Sequence, residues 1–428
     1  MRRYYTGAII SPAMRSELLR DFQRRELIAD VTTPEELDVH LTSGHRTAYV
    51  GFDPTSDSLH VGSLVPLLAL RRLQLAGHRP IVLVGGGTGL IGDPAGKAGE
   101  RALNPKEQVA EWAERLKRQV RPFLDFDRGP HAAILADNYE WLSELDVIGF
   151  LRDVGKHFPV GAMLARESVK ARMNAGISFT EFSYQVLQAY DFMSLMLLHG
   201  CSIQLGGSDQ WGNITAGVDL IRRVHGRAAY GLTLPLVMKS DGSKFGKTES
   251  GTIWVDPIKT SAYEMYQFWL NTPDADVVRF LRYFTFLPLE RIEELGAATR
   301  EAPEKREAQR MLAREVTTLV HGEQAMQDAE ATSAARFAKN AAAGELTQDF
   351  AKAPQLPAEA AGWPLWKLIK EMGWVASSSE ARRLIQGGGV QIDGVRATST
   401  DQPTSPGPHT FKLGPRRVYP LIIEPPKV

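Results

Sequence analysis

Two short apolar stretches rich in β-branched and aromatic residues, 47–52 and 81–84, flank a long apolar-periodic segment, 59–75, that Gly77 closes. Strand, helix and strand in fewer than 40 residues make a βαβ unit, whose strands lie parallel and whose crossover is right-handed. This unit commits the chain to an α/β fold with helices on the sheet faces and ligands at the carboxyl ends of the strands. The pattern continues with a polar helix over 106–120, a strand over 132–135, helices from Trp141, a strongly periodic helix over 180–198 and a strand over 202–205. Upstream, 15–42 reads as helical, with Leu18, Leu19, Phe22 and Leu27 sharing a face and Thr33-Pro34-Glu35-Glu36 opening a second helix.

From 261 to 343 the chain is almost wholly helix-compatible, as a separate helical layer or domain would be. An Ala, Pro, Gly and Gln-rich stretch, 341–361, reads as a linker. Beyond it stand helices at 365–370 and 379–385 and a strand at 390–392 running into the Asp393-Gly394 turn.

The 428 residues carry 50 Lys and Arg against 50 Asp and Glu. That balance excludes a globally basic nucleic-acid binder, but it is an average. In 362–428 there are nine basic and five acidic residues, net +4, which leaves −4 for the rest. One cysteine, Cys201, can form no intrachain disulfide or thiolate metal site and points to a reducing compartment, hence the cytoplasm. No uncharged run approaches the roughly 20 apolar residues of a membrane helix. The Tyr4 to Ala13 stretch is too polar for a signal peptide.

Five stretches carry chemistry. Gly51-Phe-Asp53-Pro-Thr55 leads into His60-Val-Gly62-Ser63 at a helix start, where free N–H groups and a histidine donor can hold a phosphate; a capped structural helix explains it equally. Gly85 to Lys97 contains Gly87-x-Gly89-x-x-Gly92 after a strand, a formal dinucleotide fingerprint. The acidic residue such a site needs about 20 positions on falls inside the polar helix, at Glu111 and Glu114. Tyr184, Gln188 and Asp191 share one helical face, which lines a cavity or is partly solvated. Gly207-Ser-Asp209-Gln210 ends a strand and suits ribose hydroxyls and a carboxylate. Lys244-Phe-Gly-Lys247-Thr248 places two lysines in a glycine-containing segment able to reach polyphosphate.

Taken in order, these stretches resemble the bacterial-type tyrosyl-tRNA synthetases, a class I aminoacyl-tRNA synthetase family. His60-Val-Gly62-Ser63 is similar to its first signature and Lys244 to Thr248 to its second, and the resemblance runs from about residue 30 to the end. It implies a Rossmann-like parallel-sheet catalytic domain with an inserted dimerisation segment (1–248), an α-helical domain (249–343), a linker (344–361) and a small α+β RNA-binding domain (362–428) like one first known from a ribosomal protein. Tyr49 and Asp191 would then meet the phenol of tyrosine, Asp93, Tyr184 and Gln188 its ammonium, and Gln210 its carboxylate. Gly51, Asp53, Gly62, Gly207 and Asp209 would lie along ATP. Thr55, His60, Lys97, Arg101, Lys244, Lys247 and Thr248 would surround the pyrophosphate. Arg382, Arg383, Lys412, Arg416 and Arg417 would face tRNA(Tyr).

The implied enzyme is a cytoplasmic homodimer that joins L-tyrosine to tRNA(Tyr) through tyrosyl-adenylate, with ATP as substrate, Mg²⁺ travelling with it and no protein-ligated metal. Ser63 stands where the family's first signature has a second histidine, and Val50 where some members have a cysteine, which alters nucleotide contacts. About 14 N-terminal residues look additional to the family pattern. The competing readings are a tryptophanyl-type synthetase, a dehydrogenase built on Gly87-x-Gly89-x-x-Gly92, and a non-catalytic RNA-binding protein.

Overall fold

Seven strands order as β1-β2-β7-β6-β3-β4-β5: β1 (Tyr5–Thr6), β2 (Asp30–Val31), β3 (Thr47–Phe52), β4 (Arg79–Val84), β5 (Ile134–Asp137), β6 (Cys201–Gly207) and β7 (Tyr230–Leu234). The computed structural model describes residues 5–6, 14–94, 103–165, 169–170, 176–240, 242, 245–248, 251–342, 353–414 and 417–425, with the backbone alone at 5–6, 247–248, 336–342 and 417–418. The five strands from β7 to β5 are parallel, while β2 runs antiparallel to β7 and β1 antiparallel to β2. The β3–helix–β4 unit is present as the sequence implied. Its helix begins at Leu64 rather than 59, because Leu59 to Val61 pair instead with the chain at 253–255.

On β3, Ala48, Val50 and Phe52 enter one apolar cluster and Tyr49 the other, as the two-residue period requires. The first cluster lies under the Leu64–Leu75 helix and extends without a break into Val277, Phe280, Phe284 and Leu312 of the later helices. The second lies under the Phe179–His199 and Trp211–His225 helices. The helices expected after 261 are Ala262–Leu270, Asp274–Phe284, Leu289–Glu301, Glu307–His321 and Glu323–Ala342. By contact density the first four, with the fifth as far as Glu330, form one compact unit with the sheet, Met1–Glu330; the second unit is Ala331–Val428.

After the two-stranded ribbon β8 (Lys247–Thr248) and β9 (Gly251–Thr252), the second unit adds β10 (Gln355–Leu356), β11 (Val390–Ile392), β12 (Val395–Arg396), β13 (Gly407–Leu413) and β14 (Arg417–Ile423). These five order as β10-β14-β13-β11-β12, with the Leu365–Glu371 and Ser378–Gln386 helices closing a core around Phe411, Leu368 and Ile385. Within the stretch expected as linker, β10 pairs with β14, held by Ile422 N–H donating to Pro354 O and Glu424 N–H to Leu356 O. Backbone bonds and small apolar side chains, Ala360 in the core and Leu356 against it, tie it down, and composition carries little trace of them. Among the described residues no helix is long and apolar enough to cross a membrane.

Candidate active site

Chain order reverses between β3 and β6, and a cavity of about 630 Å³ opens there at the carboxyl ends of the parallel strands. Tyr49, Gly51, Asp53, Thr55, His60, Gly62, Asp93, Tyr184, Gln188, Asp191, Gly207, Asp209 and Gln210 all line it. Lys97, Arg101 and Lys244 lie outside the described residues, and Lys247 and Thr248 are described in backbone only, as β8.

The deep end is built by β3 and the Phe179–His199 helix. Asp191 is 2% exposed and accepts from Asn138 Nδ2 at 2.9 Å and Trp141 Nε1 at 2.7 Å. Burial pushes its carboxyl up to about 8, the two donors opposing that rise and the charges of Asp53 and Asp137 adding to it. The Tyr49 hydroxyl is buried with no hydrogen-bond partner. Burial first, then the Asp191 charge, holds this phenol well above its usual range, so it remains a donor. Gln204, opposite Tyr49 in the β3–β6 register, has a buried, unpartnered Oε1 as well. A buried polar group left unpaired costs about 1–3 kcal/mol, so these atoms mark where a ligand's polar group belongs.

Nearer the mouth, Asp53 accepts from Tyr184 OH and Thr88 Oγ1, each at 2.7 Å. Gln210 Nε2 donates to Asp93 Oδ2 at 2.6 Å, and Asn213 Nδ2 to Gln188 Oε1 at 3.0 Å and Gln210 Oε1 at 3.1 Å. Asp53, Asp93, Asp191 and Asp209 all line the cavity, and among its described lining residues there is no Lys or Arg. Such a surface attracts an ammonium group and repels polyphosphate. The cations for a polyphosphate are those expected from the sequence, Lys97, Arg101, Lys244 and Lys247, whose side chains lie outside the described ones.

At the mouth the two signature stretches are tied together. Ile253 N–H donates to Gly246 O at 2.9 Å, and Val61 N–H donates to Ile253 O at 3.1 Å. His60 Nδ1 accepts from Gly62 N–H at 3.0 Å, which leaves the proton on Nε2 as a donor. No atom lies within 4 Å of where a Cβ on Gly51 would stand, so a flat ligand can lie on that backbone.

Thr88, Asn138, Trp141 and Gln204 were not singled out by the sequence. Asn138 follows β5 directly, where ligands to such sheets gather, but the strand was expected to end at 135 and ends at 137. The dinucleotide reading fails on space. A Cβ on Gly87 would stand 2.9 Å from Leu142 Cδ1, and one on Gly89 2.9 Å from Pro54 Cγ. Those glycines admit the protein's own side chains, and the loop leads into a three-residue turn, Thr88–Leu90, rather than a helix.

In the second unit Arg382 and Arg383 are exposed on the Ser378–Gln386 helix, with Arg382 Cζ 4.4 Å from the Trp366 ring centroid. Lys412 is half-buried on β13, Arg417 is described in backbone only and Arg416 lies outside the described residues. Among the described residues no three His, Cys, Asp or Glu side chains are grouped to hold a metal ion.

Residues 42–338 match the family of class I tRNA synthetases (W and Y), and 363–407 match the S4 domain. The chain is 54% identical over 90% of its length to the tyrosine–tRNA ligase of Desulfitobacterium hafniense (strain DSM 10664 / DCB-2), covering 92% of that protein. It is 55% identical over 89% of its length to the tyrosine–tRNA ligase of Bacillus caldotenax, again covering 92%. Among solved structures, a C-terminally truncated mitochondrial tyrosyl-tRNA synthetase of Aspergillus nidulans superposes with a TM-score of 0.69 at 30% identity, over 76% of this chain and 95% of that one.

Proposed function

Since the chain belongs to the class I tRNA synthetases of the tryptophan and tyrosine group and carries tyrosine–tRNA ligase activity, we propose that its cavity holds tyrosine with the phenol between Tyr49 and Asp191. The observation that carries this is the unpartnered Tyr49 hydroxyl at the buried end, where the Asp191 carboxyl also lies. A phenol O–H donates to the carboxylate and accepts from Tyr49; the phenylalanine ring edge does neither, and the tryptophan indole has an N–H to donate but no oxygen to accept from Tyr49. The ammonium sits among Asp93, Tyr184 and Gln188 and the carboxylate near Gln210, with ATP along Gly51, Asp53, Gly62, Gly207 and Asp209.

In activation a carboxylate oxygen of tyrosine bonds to the α-phosphorus of ATP as the bond to the β-bridging oxygen breaks and pyrophosphate leaves. The nucleophile is already ionised near pH 7, so no base is needed. Catalysis is alignment plus charge stabilisation on the leaving group, supplied by Thr55, His60, Lys97, Arg101, Lys244, Lys247 and Thr248, with Mg²⁺ arriving on ATP. A 3′-terminal ribose hydroxyl of tRNA(Tyr) then attacks the tyrosyl carbonyl and AMP departs. ATP–pyrophosphate exchange tests this reading: tyrosine supports exchange, phenylalanine and tryptophan do not, and equal rates for tyrosine and phenylalanine would refute the Tyr49 and Asp191 assignment.

The working enzyme is a homodimer in the cytoplasm. Between 147 and 164, Val147, Ile148, Leu151, Val160 and Leu164 are all exposed, from 37% to 72%, and large apolar side chains clustered at a surface mark a protein contact. Leu151→Glu is expected to shift the sedimentation coefficient from dimer to monomer; an unchanged dimer places the contact elsewhere.

A further inference from the structure

The Asp274–Phe284 helix grips the chain leading into the second signature and, through Phe245, the signature itself. In its first turn Asp276, fully buried, accepts from Ser240 N–H at 3.1 Å to each carboxylate oxygen and from Ser240 Oγ at 3.1 Å. Arg279, one turn on, donates from one nitrogen to Asp276 Oδ1 and to Met238 O, both at 2.6 Å. Farther along, Phe280 and Phe284 hold the ring of Phe245 at centroid distances of 5.0 and 5.3 Å. Met238 and Ser240 lead into the signature; Lys244 immediately precedes Phe245 and Lys247 follows it by two residues.

Ser240 alone does not explain Asp276. A surface serine needs no buried carboxylate, and burying a charge is unfavourable unless it is paired and hydrogen-bonded. Here the charge is matched by Arg279 and spent on backbone groups where the lysine segment leaves the sheet. We propose that Asp276 is a positioning residue for amino-acid activation: with Arg279 it fixes the backbone at Met238–Ser240, which together with the held Phe245 ring anchors the chain on both sides of Lys244 and ahead of Lys247 in sequence, the two lysines whose proposed role is on the leaving pyrophosphate. Asp276 touches no substrate. Its effect passes through the lysines, and the inference therefore rests on their proposed role. A displacement of about 1 Å of a catalytic group costs on the order of 100-fold in rate, so a buried anchor at the root of a lysine segment carries kinetic weight.

The test is a double-mutant cycle on the full chain in tyrosine-dependent pyrophosphate exchange, with active sites titrated so that rates refer to folded enzyme. Asp276→Asn lowers kcat by about 10- to 100-fold and leaves KM for tyrosine within about twofold, because the tyrosine pocket is built elsewhere. Ser240→Ala, which loses only the hydroxyl bond, costs about threefold. Adding Asp276→Asn to a variant that carries both Lys244→Ala and Lys247→Ala lowers the rate no further than about threefold, since both groups being positioned are already gone. Multiplicative losses in the combined variant, with the paired lysine variant itself slow, overturn the positioning role and leave the lysine reading intact. A fast paired lysine variant beside a slow Asp276→Asn overturns both. An Asp276→Asn rate equal to the unaltered enzyme's overturns the positioning role alone. Should Asp276→Asn fail to fold, Arg279→Lys and Ser240→Ala run the same cycle with the same readings.

Discussion

Asp191→Asn is expected to lower kcat/KM for tyrosine in pyrophosphate exchange by about 10- to 150-fold, the worth of a hydrogen bond to a buried charge. Phenylalanine, which has nothing to donate, loses nothing, so the tyrosine-to-phenylalanine ratio falls by at least as much. Unchanged discrimination would remove Asp191 from the phenol site. The substitution keeps the shape and the acceptor for Trp141 or Asn138, which separates lost charge from lost packing. A pH arm follows from the raised carboxyl. Buried Asp191 titrates near 8, against 3.8 for an exposed carboxyl. The fold thus favours its protonated form, so the stability it lends is complete below about pH 4 and lost as pH rises towards 8. Asp191→Asn lacks that slope, and its melting temperature gains on the unaltered protein between pH 5 and 8; parallel curves would contradict the buried titration. Tyrosine, by donating to the ionised form, releases protons on binding between pH 6 and 8, visible by calorimetry in buffers of different ionisation enthalpy. Phenylalanine releases none.

The frame of the fold was legible because it rests on strong periodicity. β3 matches its expected limits, as does the Lys106–Val120 helix, since each is bounded by polar or turn residues that stop the pattern. What was missed is short or held by backbone. β1 and β2 have two residues each, too few to show a period, and β7 contains Gly231, whose Cβ position is taken by Ile214 Cγ2 at 2.3 Å. In the same way, the helix expected from residue 59 yields its first residues to pairing with 253–255, a contact across nearly 200 residues that no local pattern encodes.

The cavity was legible through motifs at strand ends, and its first layer of side chains was found. The groups that orient that layer, some of them also lining the cavity, were not. Thr88, Asn138 and Trp141 act by orienting Asp53 and Asp191, and a polar residue that serves another side chain has no spacing rule of its own. Asp276 belongs to the same class: in a stretch read only as helix-compatible it looks like an ordinary first-turn acid, until Ser240 and Arg279 close around it.

Deleting 343–428 is expected to leave tyrosine-dependent pyrophosphate exchange within about twofold while cutting tRNA charging by roughly 1,000-fold or more, the scale set by losing several phosphate contacts at once. Every described residue of the cavity lies in the Met1–Glu330 unit, whose core includes no residue beyond Ala329, so activation has what it needs. Charging does not. The 362–428 segment holds nine basic residues against five acidic, in a chain otherwise net negative, and an RNA backbone binds where cations outnumber anions. Arg382 and Arg383 stand exposed on one helix, and replacing both by alanine weakens tRNA affinity and lowers the slope of log affinity against log salt by about one per lost contact. A truncated chain that still charges tRNA at full rate would mean that the first unit alone grips the RNA. A double arginine variant with an unaltered salt slope would move the phosphate contacts to another face of the second unit. The overall zero charge makes neither outcome trivial: an RNA-binding surface must be local in this chain, and its removal leaves behind a protein of net −2 that repels the substrate it once held.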